Sequence, residues 1–149
     1  MGNRAVLTWG NRNDYQTRPG IYLHWNGGRD SVEAFLKYCE LREFREGSYG
    51  FARLTQIISN FFGGGLCIGV DICANLDCDN WDNGVYLLKG WKIVDRLFLN
   101  HGEQKEYDLR VMLKSIDSKM PENERMSNFD IDLDTVDLEP KEEEDAKLD

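Results

Sequence analysis

Apolar positions recur along this chain with two periods, and the switches between them mark out its elements. Ala5 to Trp9 and Ile21 to Asn26 are short, rich in β-branched or aromatic side chains, and separated by a polar stretch ending in Arg18-Pro19-Gly20; both are predicted strands. In the second, a period of two puts Ile21, Leu23 and Trp25 on one face and Tyr22, His24 and Asn26 on the other. After the turn Asn26-Gly27-Gly28-Arg29 the period lengthens. Asp30 with Glu33 three residues on makes an Asp version of a capping box, and Val32, Phe35, Leu36 and Cys39 follow at helical spacing to about Glu43. Gly47 breaks that run. Ser48 then caps a second predicted helix through Phe62, with Phe51, Leu54, Ile57, Ile58, Phe61 and Phe62 as its apolar stripe, and Gly63-Gly64-Gly65 ends it.

Alternation returns with Leu66, Ile68, Val70 and Ile72 on one face and Cys67, Gly69 and Asp71 on the other, the pattern of a strand covered on one side. An Asp/Asn-rich loop from Ala74 to Gly84 leads into a predicted hairpin, Val85 to Leu88 and Trp91 to Leu99, connected through Lys89-Gly90. Leu109, Met112, Leu113 and Ile116 define a third helix from about Tyr107 to Lys119, stopped by Pro121. The order β-β-α-α-β-β-β-α lacks βαβ alternation, so the expected fold is α+β: an antiparallel or mixed sheet of about five strands with helices on one face. That arrangement turns Leu23, Trp25, Ile68 and Val70 toward the helices. Tyr22, His24, Asn26 and Asp71 are left on the second face, where function is expected.

Charge divides the chain differently. Residues 121–149 hold twelve acids against Arg125, Lys141 and Lys147, a net 3 − 12 = −9, which equals the net charge of the whole protein. The expected organisation is therefore a globular domain over residues 1–120 and a disordered acidic tail over 121–149, the composition of a segment too polar to fold alone. Within the tail Phe129, Ile131, Leu133, Val136 and Leu138 alternate with acids. They read either as a docking motif for a partner or as incidental apolar residues of a solubilising tail. The balanced body argues against nonspecific duplex DNA binding. No apolar run suits a membrane span and Met-Gly-Asn-Arg lacks the long apolar run of a secretory signal, so a cytoplasmic protein with no membrane association is expected.

Chemistry is sparsely marked. Cys39, Cys67, Cys73 and Cys78 show no C-x-x-C spacing and read as free thiols. His24 with Asp30 or Asp71 supplies the residue types of a general base and its orienting carboxylate, with a structural histidine as the plainer alternative. The turn Asn26, Gly27, Gly28, Arg29, beside Tyr22, offers backbone N–H groups at a helix N-terminus to a nucleotide or phosphate, or else is only a tight strand-to-helix turn. Neither a P-loop nor a dinucleotide fingerprint accompanies it, so no cofactor is expected. Asp77, Asp79 and Asp82 are weak metal candidates because their spacing breaks the EF-hand pattern.

The runs Gly2-Asn3-Arg4-Ala5-Val6, Ile21-Tyr22-Leu23-His24-Trp25-Asn26-Gly27-Gly28-Arg29-Asp30-Ser31 and Phe61-Phe62-Gly63-Gly64, continued through Asp79, Asn80, Asp82, Asn83 and Gly84 to Trp91, resemble small proteins of phages, prophages and conjugative elements of Gram-positive bacteria. The resemblance covers most of the body but not the acidic tail, and it carries no activity over. It implies a mobile-element accessory protein in a bacterial host cell, with a host protein as partner and inhibition of a host defence system as one form of action. The alternative expectation is a small enzyme or a nucleotide- or phosphate-binding protein built on Tyr22, His24, Arg29 and Asp30.

Overall fold

In the computed structural model, which describes residues 2–64 and 66–139, the elements follow in the expected order. They are β1 (Ala5–Thr8), β2 (Pro19–Leu23), α1 (Arg29–Leu41), α2 (Ser48–Phe61), β3 (Ile68–Ile72), β4 (Val85–Lys89), β5 (Lys92–Leu97) and α3 (Leu109–Ser118). The strands form one mixed sheet in the order β3-β2-β1-β4-β5, in which only β1 and β4 are parallel. All three helices pack on one face. Ala5, Leu7, Ile21, Leu23, Tyr86 and Leu88 meet Phe35, Leu36, Leu54, Ile58, Met112 and Leu113 there in the main core. No helix among the described residues is long and apolar enough to cross a membrane.

The strand order accounts for the second face. β3 lies at one edge and its successor β4 sits beyond β2 and β1, so the connecting loop must cross the sheet. It crosses the face opposite the helices, where Cys73, Leu76 and Cys78 pack with Val6, Tyr22, Val85, Leu87 and Leu97, and Tyr15 joins them from the β1–β2 connection. The second face, where function is expected, is thus largely covered by the chain's own loops. Among the cysteines there, burial pushes the Cys78 thiol up to about 11, and all four cysteines are unpaired thiols.

Two local expectations change. Trp25 is not in the core: β2 ends at Leu23, and Asn26 enters the left-handed region at φ 57°, so the period of two no longer governs where Trp25 goes. It is exposed, edge-on to the His24 ring. Neither expected helix cap forms: α2 starts at Ser48 itself, after Gly47, and α1 starts at Arg29, both without a side-chain cap. Asp30 instead accepts from the Ser31 N–H and reaches across to the backbone N–H groups of Glu106 and Tyr107.

The larger change concerns residues 121–139, which pack against the body. After 3-10 turns at Glu122–Glu124 and Met126–Phe129, this strap runs along α1 and α3 and buries Met126 and Leu133 in the main core, with Ile131, Val136 and Leu138 packed beside them. Arg110 donates to the carbonyls of Leu133 (2.6 Å) and Val136 (3.0 Å), Arg42 donates to that of Glu124 (2.7 Å), and Asp117 accepts from the Met126 N–H (2.9 Å). Phe129 is partly exposed and lies over the Arg42 guanidinium. Composition describes what a segment can do alone; here the helices supply both an apolar face and the donors its carbonyls need. Of the residues read from the sequence as a docking motif or as incidental apolar side chains, Ile131, Leu133, Val136 and Leu138 pack in cis, while Phe129 stays exposed. The rest of the acidic stretch, 140–149, lies outside the described residues.

Candidate functional site

The sheet end at which β1 begins gathers the conspicuous side chains. Residues 2–4 prolong β1 there, flanked on one side by the end of β2 (Asn3 N–H to His24 O, 2.9 Å) and on the other by the loop before β4 (Asn83 N–H to Arg4 O, 3.0 Å). Trp25 follows the first of these contacts directly and Trp81 precedes the second by two residues, so the two tryptophans flank the N-terminal segment along the chain.

Trp81 is held in place from beneath. Its neighbours Asn80 and Asn83 are fully buried, the amide of Asn80 bonded within the loop and that of Asn83 to the N-terminal segment and Gln104. Asn80 accepts from the N–H groups of Asp82 (3.1 Å) and Gly84 (3.0 Å) and donates to the carbonyls of Asp77 and Gly84. Asn83 donates to Asn3 Oδ1 (2.6 Å) and Arg4 O (3.0 Å) and accepts from the Gln104 N–H (3.1 Å). Arg96 ties the loop to the next one, donating to the carbonyls of Asn83 (2.7 Å), Asp82 (3.3 Å) and His101 (2.7 Å). Gly84, at φ 76°, admits no Cβ because the Leu97 carbonyl lies 2.0 Å from where one would sit. The result is a tryptophan 61% exposed, in the left-handed region at φ 62°, tilted against His101 with ring centroids 5.8 Å apart. That backbone state costs a non-glycine residue about 1–2 kcal/mol, and the satisfied amides around it offset the strain.

The expected catalytic set is not assembled. His24 Nδ1 is 2.9 Å from the Tyr22 hydroxyl. Asp71 accepts from the Ile72 N–H and from Asn75, and Asp30 is engaged by the backbone of residues 31, 106 and 107. Of the expected residues, Tyr22 and His24 are the pair brought together. Burial, then the nearby Asp77 charge, raises the Tyr22 hydroxyl above its ordinary range; among the described residues the pair has no carboxylate hydrogen-bond partner.

The turn before α1 is also filled by the protein itself. Gly27 and Gly28 are buried; a Cβ on Gly28 would lie 2.1 Å from the Gln104 carbonyl, and one on Gly27 2.6 Å from that of Asn3. Arg29 is committed to Glu103, which also accepts from the Tyr86 hydroxyl, while Asn26 Nδ2 lies 3.4 Å from Ser31 Oγ. These groups are therefore spent on holding the 103–107 segment against the helix start. The three loop aspartates are engaged by other side chains too. Asp82 pairs with Arg4 (2.7 Å), Asp77 lies 3.6 Å from the same guanidinium, and Asp79 accepts from Asn100 (2.6 Å). Among the described residues no group of three or more His, Cys, Asp or Glu side chains is placed to hold a metal ion.

No periodicity marks Trp81 in the sequence. The available signal was the run Asn80-Trp81-Asp82-Asn83-Gly84, in which short amides that readily bond nearby backbone flank a large aromatic. Comparison with protein-family models, with curated proteins and with solved structures finds no match to the chain.

Proposed function

We propose that this chain is a noncatalytic binding protein whose contact surface is centred on Trp81. The observation that carries the reading is an exposed tryptophan held in a strained backbone state by a satisfied network of buried amides. Exposed aromatics of this kind anchor protein interfaces, and one already fixed in position loses little freedom on binding. Trp25, at the far side of the same rim, extends the apolar contact area. His24, Asp30 and Asp71 each serve a separate local bond, which removes the motive for an acid-base centre.

The partner class follows from the resemblance to proteins of mobile elements: a host protein that the chain binds and modulates, inhibition of a host defence system being one such action. The test is quantitative capture from a Gram-positive bacterial lysate by wild-type protein and by Trp81→Ala. Truncation of an anchoring tryptophan removes about 2 kcal/mol or more of binding free energy, so the variant is expected to lose a specifically retained protein through a roughly 30-fold weaker affinity. Equal retention by both proteins, or none by either, would overturn the reading.

A further inference from the structure

We infer that the exposed edge of β3 pairs with the same edge of a second copy of this chain, joining two five-stranded sheets into one. The inference concerns a different surface from the Trp81 rim and does not depend on it.

Hydrogen-bond parity sets the frame. Cys67 O accepts from the His24 N–H and the Cys73 N–H donates to Arg18 O, so the odd-numbered residues of this strand turn their backbone groups toward β2. Ile68, Val70 and Ile72 turn theirs outward, where no further strand lies among the described residues. The side chains on the helix side are those of the same three residues, and Val70 is 50% and Ile72 42% exposed. A free edge that is also apolar is a ready template for another strand.

The sequence Ile68-Gly69-Val70-Asp71-Ile72 then selects a copy of itself. A two-fold axis through Val70 sets two such strands antiparallel with all five residues paired: Val70 opposite Val70, Ile68 opposite Ile72, and Gly69 opposite Asp71. Outward groups meet outward groups, and the helix-side faces of the two copies join in one stripe of isoleucine and valine. The charge is also placed to suit this register. Shifting the axis to Asp71 would set the two carboxylates directly opposite one another, which is destabilising, whereas the Val70 axis puts each against a glycine. Asp71 already accepts from its own Ile72 N–H (2.7 Å), capping one outward donor. Four main-chain bonds form without disturbing it, two between the Val70 residues and two from Ile68 N–H to Ile72 O.

The experiment is sedimentation analysis of the full chain over a range of concentrations, with two variants at the axis. Wild type is expected at twice the monomer mass. Val70→Lys, which places two ammonium groups at the axis on a position already half exposed in the monomer, is expected at the monomer mass with an unchanged circular dichroism spectrum. Val70→Cys provides an independent readout, since hydrogen-bonded antiparallel pairs hold their Cα atoms about 5.5 Å apart, within disulfide range. Under mild oxidation it is expected to form a covalent dimer that neither wild type nor Val94→Cys on β5 forms. A monomeric wild type without the Val70→Cys crosslink would overturn the inference, as would a dimer that Val70→Lys leaves intact. Loss of a captured foreign protein on Val70→Lys, with wild type monomeric, would assign the edge to a strand from another protein and likewise overturn it.

Discussion

The two edges of this sheet are built to opposite rules. On β5, Lys92 opens the strand and the pairing with β4 shifts register between Leu87 and Leu88. Arg12 also grips Asp95 through two bonds of 2.6 and 2.7 Å. A basic residue, a bulge and an ion pair are familiar means of discouraging strand addition. β3 has neither lysine nor proline nor a register shift, and Asp71 is its one charge. The flanks differ likewise. The strap reaches the helix side of β5, where Leu138 lines a cavity of about 240 Å³ with Trp91, Lys92 and Ile93, while among the described residues nothing buries Val70 or Ile72. Edge protection here is applied strand by strand, so the unprotected edge marks a place where pairing is tolerated.

The most severe way to break the comparison is to strip the cover from the guarded flank. Ending the chain after Met120 removes Met126 and Leu133 from the core. Losing a buried Leu or Met side chain costs about 2–5 kcal/mol, so the pair amounts to a large share of the roughly 5–15 kcal/mol that holds a domain folded. The truncated chain is expected to unfold at a much lower urea concentration, with loss of cooperativity. An unchanged midpoint would show that the strap adds nothing to the β5 side.

Arg96→Ala, within β5, should have the second-largest effect. The guanidinium side chain is 10% exposed and serves three carbonyls and Glu103. Leaving part-buried acceptors unpaired is expected to cost about 1–3 kcal/mol, seen as a lower unfolding midpoint. Because the same side chain joins the Trp81 loop to the His101 loop, partner capture should weaken as well. Capture that survives a clear loss of stability would separate the rim from the guarded edge.

These contrasts were unevenly legible in the sequence. Element order was readable because each helix carries its apolar stripe at long, regular spacing and each strand alternates between turn residues. What escaped depends on contacts made far along the chain. Asp30 looks like a helix cap until the backbone of Glu106 and Tyr107 arrives from across the sequence. Alternation defines the second face but not its cover, which follows only from the strand order that carries the Cys73–Gly84 loop over it. The strap looks unfoldable because the donors of Arg42 and Arg110 lie outside it. His24 and Tyr22 were picked out correctly as neighbours on one face, but the period of two could not reveal that Asn26 stops the strand before Trp25 is placed. Trp81 was hidden by a loop whose amides read equally well as a turn.

The smallest expected effect comes from the ion pair that guards β5. The Arg12 donors hold the Asp95 carboxyl below its usual range, with a backbone bond from Arg96 assisting. A carboxylate whose folded-state pKa is depressed contributes stability that is present above the unfolded value, about 3.9, and is lost as pH falls through the lower folded one. Arg12 and Asp95 are solvent-accessible, so salt screens the pair and the contribution is small. Arg12→Ala is accordingly expected to lower the thermal midpoint slightly at neutral pH and low salt. The gap from wild type should close as the pH drops through the folded Asp95 value, and shrink at high salt. Lys92 and the register shift still guard the edge in this variant, so its mass in solution should match that of wild type. Larger assemblies formed by Arg12→Ala but not by wild type would show that a single surface ion pair had been separating the two edges, and that the rest of the guard on β5 is insufficient alone.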